Sequence, residues 1–198
     1  MDYKELLNKV AHKEFIQNRN DFMTSFRANQ ISSKEMLVNA ICDSINAEEL
    51  EHVAVLGSWN SVLLYELLSS RIKVNHWHFF DIDEKVHQDR DIYFSANDMD
   101  KNYTSYTENV NKLFDDPGYH AMFDMIINPS AEHMYDLKPA HGPIYALCSN
   151  NFRTIKGQHI NCVDSSRELQ KKNGIETLFH RSSKDFGLYM RYCVIGLR

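Results

Sequence analysis

The chain has 198 residues, and its 22 Lys and Arg against 27 Asp and Glu give a formal net charge of −5. Hydrophobic residues make up 43% and charged residues 25%, which is typical of one globular domain with a buried core. Net acidity argues against extended nucleic acid as the main partner without excluding a local basic patch. No apolar run approaches the roughly 20 residues of a membrane span, and no signal-peptide core is visible. We therefore expect a cytoplasmic protein with no membrane partner.

The ten histidines raise the question of a metal site. The four cysteines form no CxxC pair, which favours reduced thiols over a zinc or redox motif. His76 and His78 share one face of a predicted strand, as metal ligands can, but the sequence offers them no clear third ligand. Most other histidines fall in separate elements. We therefore predict no metal, and only His133 and His159 stay as site candidates.

The first 50 residues have a helical pattern. Residues 3–16 predict an amphipathic helix, residues 17–30 predict one or two further turns, and Ser32 with Glu35 has capping-box spacing before a third helix. We assign residues 1–50 as an N-terminal helical segment that forms a lid or an oligomer contact. A simple extension of the core is the alternative.

From residue 51 onward, strands and helices alternate. Apolar runs predict strands at residues 52–57, 73–80, 91–96, 121–128, 144–149, 175–181 and 186–197. Helical periodicity predicts helices at residues 62–70, 103–113 and 164–172, the last with Ser165 and Glu168 as capping box. Residues 182–185 are the predicted turn of a terminal hairpin. This order predicts an α/β domain over residues 51–198, with parallel crossovers first and an antiparallel hairpin last.

Ligands of such sheets bind beyond the carboxyl ends of the strands, so the loops there are the candidate site. The first loop holds Gly57, Ser58 and Trp59, where a glycine permits close backbone approach and a helix N-terminus favours an anion. A plain turn is the alternative. Asp98 and Met99 follow the third predicted strand, where they are suited to an adenine amino group and its ring.

The second loop carries two aspartates. Asp81 lies about 20 residues beyond the glycine turn, where a carboxylate accepts hydrogen bonds from ribose hydroxyls. The alternative is that Asp81 is merely solvated and that Asp83 or Glu84 caps the following helix.

The fourth loop has the highest density of polar groups, because Asn128, Ser130, Glu132 and His133 fall within about one turn. A histidine beside a carboxylate is a common general base near neutral pH. The alternative is that Ser130 and Glu132 cap a short helix around a structural histidine.

The fifth loop and the segment after it supply amides and a second imidazole. Asn150 and Asn151 follow the fifth strand, and His159 and Asn161 come shortly afterwards. Asparagine both donates and accepts hydrogen bonds, which suits a substrate, although the same residues form ordinary turns.

A resemblance to class I S-adenosylmethionine-dependent methyltransferases is carried by the segments VAVLGSWNS, HFFDID, ANDMD, DMIINPSAEHM, IYALCSNNF and QHINC with the closing hairpin. It covers about residues 33–198. More narrowly, the chain is similar to small methyltransferase-like proteins often encoded by bacteriophages, whose N-x-S-x-E-H-M loop is the most specific segment. The resemblance implies a three-layer Rossmann-like sheet of about seven strands with the last strand antiparallel, located in the host cytoplasm if the protein is phage-encoded.

The same resemblance implies roles for the strand-end loops. The Gly57 loop would lie near the methionine moiety of S-adenosylmethionine, with Asp81 on the ribose, Asp98 on the adenine and Trp59 as a wall. The sequence departs from the family because the glycine-rich first loop is reduced to Gly57. The Asn128-Pro129-Ser130 triplet also lacks the second proline and the aromatic residue of the NPPY-type DNA methylases.

These observations lead to a functional hypothesis. The protein would methylate a small molecule or nucleotide-type acceptor, with His133 as base oriented by Glu132 and with Asn128, Ser130 and Asn150 as positioning groups. Two alternatives stay open: a lyase or aminoalkyl transferase that uses the same cofactor, and a non-catalytic binding or scaffold protein of the same fold. A homo-oligomer also stays open.

Overall fold

The computed structural model describes residues 19–97, 99, 102–138, 140–155 and 157–198, so the helix predicted at residues 3–16 lies outside the described residues. The helices are α1 (Arg19–Thr24), α2 (Ala28–Ser44), α3 (Val62–Ser69), α4 (Glu84–Ala96), α5 (Val110–Leu113), α6 (Pro117–His120) and α7 (Ser166–Lys172), with a 3-10 turn at Ala131–His133. The strands are β1 (Glu49–Leu56), β2 (Lys73–Asp81), β3 (Tyr103–Thr107), β4 (Met125–Asn128), β5 (Ile144–Asn150), β6 (Thr177–Asp185) and β7 (Met190–Leu197).

The seven strands form one sheet in the order β3-β2-β1-β4-β5-β7-β6. Strands β1 to β5 pair in parallel, and β7 is antiparallel to both β5 and β6. The order reverses between β1 and β4, which is the switch point where ligands of open α/β sheets bind. The predicted Rossmann-like fold with its C-terminal antiparallel hairpin is confirmed.

Two apolar clusters cover the two faces of the sheet and give the three layers. Val53 and Val55 of β1 belong to the cluster that holds Leu64 of α3, whereas Ala54 and Leu56 belong to the cluster that holds Leu169 of α7. Side chains alternate between faces along a strand, and the second half of β1 is buried on both faces, so Val53 to Leu56 are all apolar. The continuous apolar run seen in the sequence follows from this position.

The described N-terminal helices pack on the first of these faces. Phe22 of α1 and Leu37 and Ile41 of α2 are buried in the same cluster as β1. The predicted cap at Ser32 is wrong, because α2 begins at Ala28 and Ser32 accepts a hydrogen bond from Lys184 Nζ at 2.6 Å. In the turn before Ser32, Ile31 packs against the same apolar cluster. Within the described residues, no helix combines the length and apolar character needed to cross a membrane.

The third strand lies elsewhere than predicted. Residues 91–96 are the last turns of α4, where Tyr93 and Phe94 are buried at helical positions. Residues 103–107 form β3 instead of the first part of a helix, and they pair with β2 from Trp77↔Tyr103 to Asp81↔Thr107. The periodicity that predicted one helix therefore spans a strand and the separate helix α5. As a result, the loop after the third strand begins at Glu108.

The C-terminal region follows the prediction apart from its turn. The Ser165 side chain accepts a hydrogen bond from the backbone N–H of Glu168 at 3.1 Å, which confirms the cap of α7. The hairpin turn lies at residues 186–189, whereas the predicted turn residues 182–185 extend β6. Gly187 has a φ of +81° and supplies the backbone conformation that the turn requires.

Candidate active site

A cavity of about 580 Å³ lies beyond the carboxyl ends of β1, β2, β3 and β4, and we call it the strand-end cavity. Its lining includes Gly57, Trp59, Asp81, Glu108 and His133. This volume lies within the range of about 300–1,000 Å³ that is usual for small-molecule and cofactor sites. The predicted strand-end loops thus enclose one site-sized space.

The loop after β1 is shaped by three residues with positive φ, Gly57, Trp59 and Ser61. Gly57 has a φ of +56°, and a Cβ placed on it would lie 2.1 Å from Met134 Cε. Trp59 has a φ of +48°, and its backbone N–H donates to Asp81 Oδ2 at 2.8 Å. Ser58 is buried, and its N–H donates to the Phe80 carbonyl at 2.8 Å. Glycine is favoured at position 57 by its positive φ, which other residues adopt only with strain, whereas the end of the flexible Met134 side chain can move away from a Cβ.

The two aspartates after β2 have different roles. Asp81 accepts from Trp59 N–H through Oδ2 and from Asp83 N–H through Oδ1 at 3.1 Å, so its carboxylate is fixed at the cavity wall. Asp83 accepts from the backbone N–H of Lys85 at 3.0 Å and caps α4. The capping alternative therefore holds for Asp83, whereas Asp81 has its carboxylate fixed at the wall of the strand-end cavity.

The loop after β3 contributes residues that the sequence analysis missed. Glu108, Asn109 and Asn111 line the strand-end cavity. Met99 is not among the lining residues; it packs against the apolar cluster of β1 and α3. Asp98 lies outside the described residues. The sequence did contain a signal for this strand and its loop. Tyr-Thr-Ser-Tyr-Thr is rich in aromatic and β-branched residues, which is typical of a strand, and two polar residues follow it.

The loop after β4 places a buried carboxylate between two polar partners. Glu132 is 2% exposed, and its Oε1 accepts from Asn150 Nδ2 at 2.5 Å and from Arg191 Nη1 at 3.4 Å. Asn128 lies at the end of β4, where its Oδ1 accepts from the backbone N–H of Ser130 at 3.1 Å. Asn128 and Asn150 thus hold the loop and its carboxylate in place.

Arg191 is a functional candidate without a local sequence signal. It lies on β7 directly opposite Asn150 of β5, and it also donates to the Pro129 carbonyl. Burial alone would lower the pKa of this guanidinium, but Glu132 and Cys148 raise it above its usual range. Only the antiparallel pairing of β7 with β5 brings this cation to Glu132.

Two imidazoles meet beside this carboxylate. His133 Nδ1 lies 3.0 Å from the Gln158 carbonyl oxygen, and His159 Nδ1 lies 2.5 Å from the Phe152 carbonyl oxygen. The rings have centroids 4.6 Å apart and are nearly perpendicular. Loss of hydration lowers the pKa of His133; His159 and Arg191 also lower it, while Glu132 and the Gln158 carbonyl oppose them. His133 is thereby favoured as a neutral imidazole.

A second cavity of about 240 Å³ adjoins the first, and we call it the side cavity. Its lining includes Glu132, Asn150 and His159, and it shares Trp59, Ser130 and His133 with the strand-end cavity. The structure thus brings most of the predicted catalytic residues to the junction of two spaces.

Two of the predicted substrate contacts have structural partners instead. Asn151 Oδ1 accepts from the backbone N–H of Met190 at 2.8 Å and fixes the start of β7. Asn161 bonds Asp136 and Lys172, each at 2.8 Å. Neither side chain is among those that line the two cavities.

Comparison with solved structures gives the class of the fold. A protein from Galdieria sulphuraria assigned as a sarcosine dimethylglycine methyltransferase superposes with a TM-score of 0.60 at 13% identity, covering 98% of this chain and 97% of that chain. The M. capricolum TrmK complex with S-adenosyl-homocysteine gives a TM-score of 0.53 at 11% identity, covering 81% of this chain and 67% of that one. A protein from Streptococcus mutans assigned as a SAM-dependent methyltransferase gives 0.54 at 13% identity.

These likenesses show the fold: the chain has the class I methyltransferase architecture. It covers 48% of the Streptococcus mutans chain and so spans about half the length of that structure. No protein-family model and no curated protein sequence matches it.

Proposed function

We propose that the protein is an S-adenosylmethionine-dependent methyltransferase that acts on a small-molecule or nucleotide-type acceptor. The observation that carries this proposal is the pair of adjoining cavities, which share Trp59, Ser130 and His133. One space is large enough for a nucleoside cofactor, and the smaller one is suited to an acceptor. Methyl transfer needs both molecules to be held in line, and adjoining cavities provide that alignment.

The residues of the strand-end cavity fit the cofactor. Asp81 is fixed by two backbone N–H groups and keeps acceptor capacity for ribose hydroxyls. Gly57 and Met134 line the cavity together, and the missing side chain at Gly57 lets Met134 Cε lie directly against the backbone of the loop. Trp59 forms a wall, held by the hydrogen bond from its indole Nε1 to Asp21 Oδ2 at 2.6 Å. Asp98 remains part of the proposal as an adenine contact, and Glu108 and Asn109, which line the strand-end cavity, are further candidates for that contact.

When bound, S-adenosylmethionine supplies a methyl group on a sulfonium. The chain's own residues would align the acceptor and remove its proton. The acceptor's lone pair forms the new bond to carbon, the old bonding pair stays on sulfur, and the acceptor's proton passes to His133. His133 donates its Nδ1 proton to the Gln158 carbonyl, so its lone pair is on Nε2. Asn128, Ser130 and Asn150 are positioning residues in this scheme.

The substrate contacts divide into two groups. Asn150 and His159 line the side cavity, whereas Asn151 and Asn161 support the loops around it. A lid or oligomer role for residues 1–50, a cytoplasmic location and a bacteriophage origin remain predictions.

The direct test is to incubate the protein with S-adenosylmethionine and mixed acceptors and to identify the products by mass spectrometry. We expect S-adenosylhomocysteine and a methylated acceptor. Methylthioadenosine in their place would contradict methyl transfer in favour of lyase or aminoalkyl chemistry. Absence of cofactor binding by calorimetry would contradict the proposal and favour a binding or scaffold role.

A matched pair of variants tests whether the cofactor binds in the strand-end cavity. Asp81→Ala should weaken S-adenosylhomocysteine binding by about tenfold or more, because it removes a charge-assisted hydrogen-bond acceptor. Asp116→Ala removes an aspartate that caps α6, where it accepts from Gly118 N–H at 2.8 Å, and should leave binding unchanged. Equal affinities in both variants would argue against the strand-end cavity as the cofactor site.

A further inference from the structure

A carboxylate and two imidazoles converge at the junction of the two cavities. One carboxylate oxygen of Glu132 and one ring nitrogen each of His133 and His159 lie within 4.8 Å of one another. When metal–ligand distances are 2.0–2.2 Å, the ligand atoms of one ion lie about 3–3.5 Å from one another. Small side-chain rotations would therefore bring these three groups close enough to bind one ion. We propose that Glu132, His133 and His159 bind a divalent transition-metal ion.

The free carboxylate oxygen is an independent sign of a missing ligand. Glu132 Oε1 has two donors, but no donor in the described part of the chain reaches the buried Oε2. A buried polar atom without a partner costs roughly 1–3 kcal/mol, so such atoms are rare unless something else binds them. The side chain is 3% exposed, which leaves little room for bulk water as the partner. A cation between Oε2 and the two rings would satisfy it.

The backbone sets both histidines in the tautomer that a metal needs. Carbonyl oxygens only accept hydrogen bonds, so the contacts to Gln158 and Phe152 require that both Nδ1 atoms carry the proton. The lone pair of each neutral ring is then on Nε2. Metal-binding histidines are commonly oriented in this way, with the other ring nitrogen donating to a backbone carbonyl or carboxylate.

The types of ligand limit which metal ions are expected to bind. Mg²⁺ and Ca²⁺ prefer oxygen ligands throughout, whereas two imidazoles and one carboxylate are typical of Zn²⁺, Fe²⁺, Co²⁺ and related ions. Arg191 opposes a second cation nearby, but its guanidinium is directed to Oε1 and to the Pro129 carbonyl. Three protein ligands leave coordination positions open toward the side cavity.

A metal ion at this site would also limit the chemical class of the methyl acceptor. This extension rests on the proposed function. A metal ion lowers the pKa of a hydroxyl that reaches its open positions. The acceptor would therefore be an oxygen compound, such as an alcohol, phenol or hydroxy acid. His133 then acts as a ligand, and the acceptor's proton is released to solvent instead of to the imidazole. The proposal departs from the sequence expectation of no metal, because residues 132, 133 and 159 have no ligand spacing along the chain.

The test uses the full chain without a histidine tag, stripped with a chelator and titrated with Co²⁺ while its visible absorption is recorded. We expect one equivalent to bind, and His159→Ala or Glu132→Gln to weaken binding by at least about 100-fold. His76→Ala is the matched control, because its ring lies 4.7 Å from that of His78, a nearly equal spacing. That variant should bind like the wild type. Equal binding by His159→Ala and wild type, or loss of binding in His76→Ala, would overturn the proposal.

The cofactor is left out of this titration, and S-adenosylhomocysteine binding is measured separately on the metal-free protein. Co²⁺ binding without cofactor binding would support the metal site and contradict the methyltransferase proposal. Cofactor binding without Co²⁺ binding would support the methyltransferase proposal and contradict the metal site.

Discussion

Two groups of histidines differ in how their ring nitrogens are used, although their geometry is similar. His76 and His78 of β2 have ring centroids 4.7 Å apart, and His133 and His159 have centroids 4.6 Å apart. His52 of β1 joins the first pair, and we call these three residues the strand cluster. Glu132, His133 and His159 form the loop cluster. Ring spacing alone therefore does not separate a structural group from a candidate metal site.

The difference lies in the hydrogen-bond partners. In the strand cluster, His78 bonds the Tyr106 hydroxyl at 3.1 Å and His52 at 3.2 Å, and His76 bonds the Thr104 hydroxyl at 2.8 Å. In the loop cluster, backbone carbonyls bind both Nδ1 atoms, and a buried carboxylate adjoins the rings. The strand cluster stabilises neighbouring strands, whereas the loop cluster keeps free lone pairs beside two cavities.

The largest effect is expected from removing the carboxylate that distinguishes the clusters. Glu132→Ala leaves the buried Arg191 without its anionic partner, which typically costs about 3–5 kcal/mol. Denaturant unfolding measures this loss. Glu49→Ala is the control: it breaks an exposed 2.6 Å pair with Lys73 beside the strand cluster and should leave the unfolding free energy close to that of the wild type. Similar losses in the two variants would mean that burial of Glu132 has little energetic importance.

A smaller effect, on turnover, separates the two clusters by function. His133→Ala should lower methyl transfer by about 100-fold or more, with little change in affinity for S-adenosylhomocysteine, because the lost group acts on the acceptor. His76→Ala should leave both quantities unchanged. Steady-state kinetics and calorimetry measure them.

His159→Ala then distinguishes a direct base from a metal ligand. With a direct base at His133, His159→Ala removes only a substrate contact and should act mainly on KM. With the metal site, the same variant should lower kcat about as much as His133→Ala does. Full turnover by His133→Ala would contradict both roles.

Most of the fold could be predicted because the central strands are buried on both faces. Such strands are apolar runs, as in the second half of β1 and in β4 and β5. Strand β2 was found from Trp77, Phe79 and Phe80, which alone are buried in it. The edge strand β3 is half-buried, so its Tyr-Thr-Ser-Tyr-Thr pattern was mistaken for helical periodicity. That error moved the third loop to Asn97 and hid Glu108 and Asn109.

The candidate site was predictable where it follows directly from a buried strand. Gly57, Asp81 and Asn128 come at or just after strand ends, and polar residues at such ends indicate a site. Arg191 could not be found, because it reaches Glu132 through strand pairing across 59 residues of sequence separation. The grouping of Glu132, His133 and His159 could not be predicted for the same reason, because only the fold brings His159 beside His133.

Titration of the strand cluster should make stability depend on pH. Burial, with His76 and His52 nearby, lowers the pKa of His78 to about 4. The unfolded chain therefore binds more protons than the folded chain between about pH 4 and 6.5, so stability falls as the pH decreases through this window. His78→Phe should reduce that slope by at most about 1.4 kcal/mol per pH unit. Thermal or urea unfolding between pH 4 and 8 measures it, and identical slopes would show that His78 titrates alike in both states.

The smallest effect is expected from Thr104→Val, which tests whether a free ring nitrogen is enough to make a metal site. The change removes the hydroxyl bonded to His76 Nε2 and should cost about 1 kcal/mol, the usual net contribution of one hydrogen bond. The change adds His76 Nε2 to the ring nitrogens of the strand cluster that have no hydrogen-bond partner among the described residues, but it brings no carboxylate to them. In a His159→Ala background, Thr104→Val should therefore not restore Co²⁺ binding. Recovery of wild-type affinity would show that the buried carboxylate is not what distinguishes the two clusters.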